Sequence, residues 1–336
     1  MNGTDGSKER VVVAGGSGFV GQCLARELLS RGYEVVVLTR RRDVPLPFGR
    51  PVLWDGCSVD ETWVRELEGA RALVNLAGES VSRRPSEEGR RRILSSRVEP
   101  TLALGEGLRL VYRVPEVWVQ AGSLAIYGNP GDRICDESAR VPDRFPADVC
   151  VAWEEALGQA VRSEMRWAIL RIGFVLGQGG GALPVLSRLV RCGFGKRFGD
   201  GRQWISWIHS EDMVRLFVEA IENPAIEGAF NATGLQPLPN AEFLETLRRV
   251  SGASFALPLP AAGVRLAAAM AGSDPGLLLE GRRALPVKIH GLGFRFRYHE
   301  LEEALASLLG EESLRAVEPR RDPGEVPSTA SGAQAA

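Results

Sequence analysis

Gly15, Gly18 and Gly21 recur every third residue in Val11-Val12-Val13-Ala14-Gly15-Gly16-Ser17-Gly18-Phe19-Val20-Gly21. A β-branched run that empties into such glycines and then into apolar residues at helical spacing (Phe19, Val20, Leu24, Leu28) predicts a strand, a tight turn and a helix N-terminus. That arrangement holds a dinucleotide pyrophosphate. One glycine makes the turn, one lets backbone approach phosphate, and one lets the helix pack closely on the strand. The second strand, Glu34-Val35-Val36-Val37-Leu38, runs into Thr39-Arg40-Arg41-Arg42, and the first acid after it is Asp43. A carboxylate at the end of that strand binds the ribose hydroxyls of NAD. A guanidinium there grips a 2′-phosphate instead. Thr39 and Arg40 are therefore the expected contacts, and NADP the expected cofactor. Downstream, Asn75-Leu76-Ala77-Gly78-Glu79 places small residues where the chain must pass the adenine and ribose.

The elements that carry these residues alternate. Strands are predicted at 11–14, 34–39, 51–54, 72–77, 116–121 and 167–172, with helices at 19–31, 60–68, 86–110 and 148–163. Alternation of this kind gives a doubly wound α/β fold with a parallel sheet and crossover helices on both faces. From Gly173 the pattern changes, with glycines clustered at Gly177–Gly181 and again between Gly193 and Gly201. A helix near 210–222, a strand near 228–232 and helices near 240–251, 260–272 and 300–309 follow. They predict a smaller C-terminal, substrate-side lobe that returns at least one strand to the main sheet. The expected division is a disordered N-terminus over 1–9, a dinucleotide-binding domain over 10–235, a C-terminal domain over 236–310 and a disordered tail over 311–336.

Composition narrows the partners. A net charge of −1 gives no electrostatic reason for nucleic acid or anionic membrane as a partner. No uncharged apolar run approaches the roughly 18 residues a membrane span needs. Residues 1–9 have neither a signal-peptide core nor the acid-poor character of a transit peptide, so the expected location is the cytoplasm. Five scattered cysteines and three unclustered histidines predict no metal site. A small-molecule substrate and a monomer or homodimer complete the expectation.

Taken together, the chain resembles the extended short-chain dehydrogenase/reductase superfamily, and within it the atypical branch of epimerase family proteins, family 39U. The resemblance runs from about Val11 to Leu309. It rests on Gly15–Gly21, Asn75–Glu79, Ser96-Arg97, Phe145–Glu154, Leu170–Leu183, Gly199–Met213 with Trp207-Ile208-His209, Gly228–Thr233 and Gly291–Phe296. It implies a Rossmann domain binding NADP through Thr39-Arg40, Leu76-Ala77, Arg97 and the segment around Val175. A domain typical of the branch is implied at roughly 256–306.

Ordinary members of the superfamily use a tyrosine as general acid/base and a lysine four residues later, on one helix face, to hold its pKa down. Only Lys8, Lys196 and Lys288 are lysine here, so the nucleotide-binding half has none to offer after Lys8. With Glu154 setting the register, Pro146 and Cys150 stand where the tyrosine and lysine would fall. What remains is Ser123 and Tyr127, in Ala121-Gly122-Ser123-Leu124-Ala125-Ile126-Tyr127-Gly128. Ser123 stands where the superfamily positions a substrate carbonyl, or else satisfies backbone at a strand end. Tyr127 aligns with a pocket-lining tyrosine and is a second candidate for catalysis. Trp153-Glu154, Asp212 and His209 read as packing, pairing and capping residues. Cys150 is a nucleophile only with a lowered pKa, and the glycines at 177–181 are expected as a flexible lid or wall over the nicotinamide pocket. Two functions fit: an NADP(H)-dependent oxidoreductase or epimerase acting on a small carbonyl or sugar-like substrate with a non-standard proton donor, or a non-catalytic NADP-binding sensor or scaffold.

Overall fold

The computed structural model describes residues 8–40 and 46–310. The arginines and acid expected at 41–43, residues 1–7 of the N-terminus and the tail over 311–336 lie outside the described residues. Seven strands form the main sheet: β1 (Arg10–Ala14), β2 (Glu34–Thr39), β3 (Arg50–Leu53), β4 (Ala72–Asn75), β5 (Val117–Ser123), β6 (Arg166–Ile172) and β7 (Gly228–Ala232). They lie in the order β7-β6-β5-β4-β1-β2-β3, every neighbouring pair parallel. The chain winds outward in one direction from β1 to β3 and in the other from β4 to β7. Hence the crevice at the carboxyl ends of β1 and β4 is the switch point where such sheets bind ligands.

Period-two alternation explains why these residues make strands buried on both faces. Val11 and Val13 face one core with Leu24, Ala25 and Leu28 of α1 (Phe19–Ser30). Val12 and Ala14 face the other with Leu104 and Leu108 of α2 (Glu87–Leu108) and Leu157 of α3 (Ala147–Ala160). Ser86 caps α2, its hydroxyl accepting the Gly89 N–H at 3.1 Å. The helix expected over 60–68 is a single turn, Glu61–Val64, capped by Asp60. Beyond it the chain tightens into three-residue turns (Glu66 to Trp63, Leu67 to Val64, Ala70 to Leu67) that deliver it into β4.

The smaller lobe has its own core, drawn from both sides of residue 236. Leu183, Leu186 and Val190 of α4 (Leu183–Arg191) meet Phe243, Leu244 and Leu247 of α6 (Asn240–Val250) and Leu301 and Leu305 of α8 (Leu301–Leu309). Helix α5 (Ser210–Glu222) joins the main sheet and α7 (Ala261–Ala271) the lobe. The glycines at 177–181, expected as a flexible lid or wall, lie in and between two strands: Phe174–Gly177 pairs in parallel with Trp207–His209 and antiparallel with Gly180–Gly181. Glycine is needed there for packing rather than mobility. A Cβ on Gly180 would lie 2.2 Å from the Phe19 ring. No helix among the described residues is long and apolar enough to cross a membrane.

Candidate functional site

Backbone geometry at the first strand end follows from what surrounds it. Gly15 sits at φ +71°, and a Cβ on it would lie 2.8 Å from the Leu76 and Ala77 backbone, so β1 and β4 ends meet only through glycine. A Cβ on Gly21 would lie 2.5 Å from the Gly16 Cα, which lets α1 settle on the loop. Gly18 is the N-cap residue of α1 and brings no capping side chain, and the first turn carries no acid. The helix therefore presents uncapped N–H groups and its positive dipole end to the crevice. Asn75, fully buried, shapes the facing wall: its side-chain carbonyl accepts the Ala77 N–H at 3.0 Å while its amide donates to Thr101 Oγ1 and Gln120 Oε1.

These elements line one continuous groove. Its outer part, about 330 Å³, is bounded by Gly15, Ser17, Gly18, Thr39, Arg40, Leu76, Ala77 and Gly78. The inner cavity, about 740 Å³, shares Gly15, Gly18 and Leu76 with it and adds Phe19, Val20, Gly21, Arg97, Ser123 and Val175. Every cofactor-binding candidate in the sequence thus faces one groove. Thr39 is buried, its hydroxyl 3.5 Å from Ser17 Oγ. Arg40 is largely exposed, with Nη1 4.0 Å from Glu79 Oε1. Arg97 lies half-buried over the Trp153 ring at 5.2 Å, its guanidinium donating to the Ile93 and Glu79 carbonyls at 2.9 and 3.1 Å. Burial draws its pKa below the ordinary arginine value.

Sequence reasoning missed Arg92, which lines the outer groove beside Arg40. It donates to Glu79 Oε1 at 3.3 Å, and Arg83 reaches the other oxygen. Burial pushes the Glu79 carboxyl up, but the three arginines outweigh it and hold the acid ionised, below its ordinary range. Arg92 stands in a run of three arginines, and only helix phase decides that it faces the outer groove while Arg90 lines the inner cavity and Arg91 lines neither.

At the inner end, Ser123 Oγ accepts the Ala125 N–H at 3.1 Å, capping the short helical turn Leu124–Tyr127. Its own proton makes no hydrogen bond to another described residue, and Ser123 lines the cavity. Tyr127 requires a correction. It is 1% exposed, points away from the cavity, and its hydroxyl donates to Asn231 Oδ1 at 2.8 Å while accepting Arg171 Nη1 at 3.0 Å. Arg171 in turn forks onto Glu154, both bonds 2.8 Å. Burial raises the Tyr127 pKa, with Arg171 opposing, so the phenol stays protonated. It is a structural tyrosine, placed by the turn that follows Ser123.

Pro146 and Cys150 do face the cavity. Burial pushes the Cys150 thiol up to about 12 against the pull of Arg97, so it is neutral and unreactive. His209 caps α5, its Nδ1 accepting the Glu211 N–H at 3.0 Å. Its ring stacks on Tyr298, centroids 3.8 Å apart, with Nε2 3.2 Å from Ser307 Oγ. Asp212 accepts the Arg297 and Tyr298 N–H groups and clips that segment to α5. Among the described residues no group of three or more His, Cys, Asp or Glu is placed to hold a metal ion. Arg282, in the smaller lobe, also lines the cavity; nothing in the sequence distinguished it from Arg283 beside it.

A parallel sheet with a glycine turn and an uncapped helix N-terminus at its switch point defines a Rossmann-type NAD(P)-binding protein. The model of the NAD dependent epimerase/dehydratase family matches residues 11–232, and the chain belongs to that family. A second family model, a domain of unknown function (DUF1731), matches residues 259–308. The chain is 32% identical to the epimerase family protein SDR39U1 homolog, chloroplastic, of Arabidopsis thaliana over 309 residues, 90% of this chain and 87% of that protein. It is 32% identical to epimerase family protein SDR39U1 of Homo sapiens over 304 residues, 89% of this chain and 99% of that one. The crystal structure of human SDR39U1 (isoform 2) with NADPH superposes with a TM-score of 0.80 at 31% identity, covering 90% of this chain and 99% of the human one.

Proposed function

We propose that this chain is an NADP(H)-dependent oxidoreductase or epimerase acting on a small carbonyl or sugar-like molecule, with a proton donor other than a tyrosine–lysine pair. The observation that carries it is the single groove running from Arg40, past the glycine turn, to Ser123. Its residues fit the dinucleotide. Gly15 and Gly21 let the β4 end and α1 close on the turn, where a Cβ would strike backbone, and the α1 N-terminus they position supplies N–H donors for the pyrophosphate. Arg40 and Arg92 offer two guanidiniums to a 2′-phosphate, with Glu79 orienting them. That supports NADP over NAD, as does the NADPH held by the human relative. When bound, the cofactor supplies or accepts a hydride. Ser123 then donates a hydrogen bond to the substrate oxygen from a hydroxyl oriented by Ala125. The apolar inner walls exclude water, and Cys150 stays a neutral thiol.

Calorimetric titration tests the cofactor. NADPH is expected to bind more tightly than NADH, and Arg40→Ala to weaken NADPH roughly 10- to 100-fold, the worth of a charge-assisted hydrogen bond, with NADH unchanged. Equal binding of the two by the native protein would sink the assignment. A second reading, a non-catalytic NADP-binding sensor or scaffold, draws on one observation: among the described residues, no tyrosine, lysine or histidine lines the inner cavity. Steady NADPH oxidation with a carbonyl panel, abolished by Ser123→Ala, supports the enzyme. Tight NADPH binding with no turnover supports the sensor.

A further inference from the structure

Arg282 is held in place from several directions. Its N–H donates to the Trp204 carbonyl at 3.0 Å, its own carbonyl accepts Ser206 Oγ at 2.7 Å, and its Nε donates to the Gly128 carbonyl at 2.7 Å. Gly281 before it has no room for a side chain: a Cβ would lie 2.3 Å from the Trp204 carbonyl oxygen. The backbone is thus pressed flat and the two neighbouring arginines diverge. Arg283 turns onto the Trp204 ring at 4.3 Å, whereas Arg282 enters the cavity with its side chain 16% exposed.

A guanidinium carries five N–H donors. Beyond Nε, neither terminal nitrogen of Arg282 makes a hydrogen bond to another described residue. The carboxylate within ion-pairing range is Glu280, with Oε2 3.9 Å from Nη2, too long for a hydrogen bond, and Glu280 is 42% exposed at the rim. Asp274, also on the rim, spends an oxygen on the Gly276 N–H at 2.8 Å. Burial draws the Arg282 pKa below its ordinary value, with Glu280 opposing, yet an arginine stays charged. A largely buried guanidinium whose terminal nitrogens face a cavity without protein partners is a ready site for an anion. Around it the walls are apolar, from Leu124, Val149, Ile172, Phe174 and Leu277, and Ser123 shares the same space.

We propose that the inner cavity takes an anionic organic molecule, a carboxylate or phosphate on an apolar body, whose head group is held by Arg282. This deepens the function proposed above and rests on it for the identity of the cavity as the substrate side. The forked guanidinium matches either oxyanion, and the apolar walls bury the rest of the molecule while its carbonyl meets Ser123.

The test uses the full chain, with and without saturating NADPH, and three calorimetric probes: phenylpyruvate, phenyl phosphate and methyl phenylpyruvate. At least one acid is expected to bind tenfold or more tightly than the neutral ester, and the better acid identifies the head group. Arg282→Gln is expected to erase that preference while leaving ester and NADPH affinities unchanged. Arg90→Gln, at another of the cavity-lining arginines, is expected to retain it. The proposal is overturned by an ester that binds as well as both acids, by failure of all three probes, or by a preference that follows Arg90. The acid-versus-ester comparison needs no variant, so it decides the matter even if Arg282→Gln does not fold. Loss of NADPH binding alone would count against the cofactor reading, while probe binding to the cofactor-free chain still decides this one.

Discussion

Tyr127 shows how much one residue's role depends on direction. Four residues beyond Ser123 it aligned with a pocket-lining tyrosine and stood as a second candidate for catalysis, but at the end of the turn Leu124–Tyr127 its hydroxyl is taken up by Asn231 and Arg171. Tyr127→Phe is therefore expected to cost about 1–3 kcal/mol of stability, the penalty for buried partners left unpaired. Urea denaturation measures that loss, and NADPH affinity should not move. A change in cofactor affinity at unchanged stability would return the phenol to the groove. Arg92 and Arg282 make the converse point. Each belongs to a run of arginines whose members are interchangeable in one dimension and differ by their bearing on a helix or a pressed strand in three.

Elements decide whether the groove exists at all. Helix α1 reaches the loop only because Gly21 lacks a side chain, and the atom a Cβ would strike is backbone, which cannot swing away. Gly21→Ala is expected to cost about 1–3 kcal/mol, as overpacking does, and to weaken NADPH through displacement of the α1 N-terminus; thermal melts and titration read the two effects. Helix α5 depends on His209, buried as a neutral cap and stacked on Tyr298. Burial lowers its pKa below the ordinary 6.5, with Glu211 and Asp212 opposing and Arg297 reinforcing. The unfolded chain then binds a proton near pH 6.5 that the folded chain refuses until lower pH. This contribution is fully present above about pH 6.5 and is lost as pH falls below it. His209→Gln should flatten that part of the stability curve between pH 7 and 5; an unchanged slope would mean the histidine titrates freely.

At the scale of the molecule, the Arg171–Glu154 pair ties β6 to α3 and, through Tyr127 and Asn231, to the carbonyls of Cys135 and Leu285. One largely buried network thus fastens the strand β6, the helix α3 and the segments at Cys135 and Leu285 to one another. Arg171→Met leaves a carboxylate that is 18% exposed without its partner, and is expected to cost about 3–5 kcal/mol in denaturation experiments. A loss under about 1 kcal/mol would show that Glu154 finds solvent instead.

By itself the sequence determined the parallel α/β fold, the glycine turn and a set of residues that all line the groove. These rest on short-range rules: strand and helix periods, glycine's missing Cβ, a charge at a strand end. The smaller lobe's helices near 240–250, 261–271 and 301–309 were legible for the same reason, and α4 could have been read from the spacing of Leu183, Leu186 and Val190. Only the tertiary structure decided that Gly177–Gly181 is a packed wall, that Tyr127 is buried, and that Arg92 and Arg282 face the groove. Each of these depends on contacts between segments far apart in the chain, Phe19 with Gly180, Tyr127 with Asn231, Arg282 with Gly128, and no local pattern of residue types encodes which distant surface a side chain will meet.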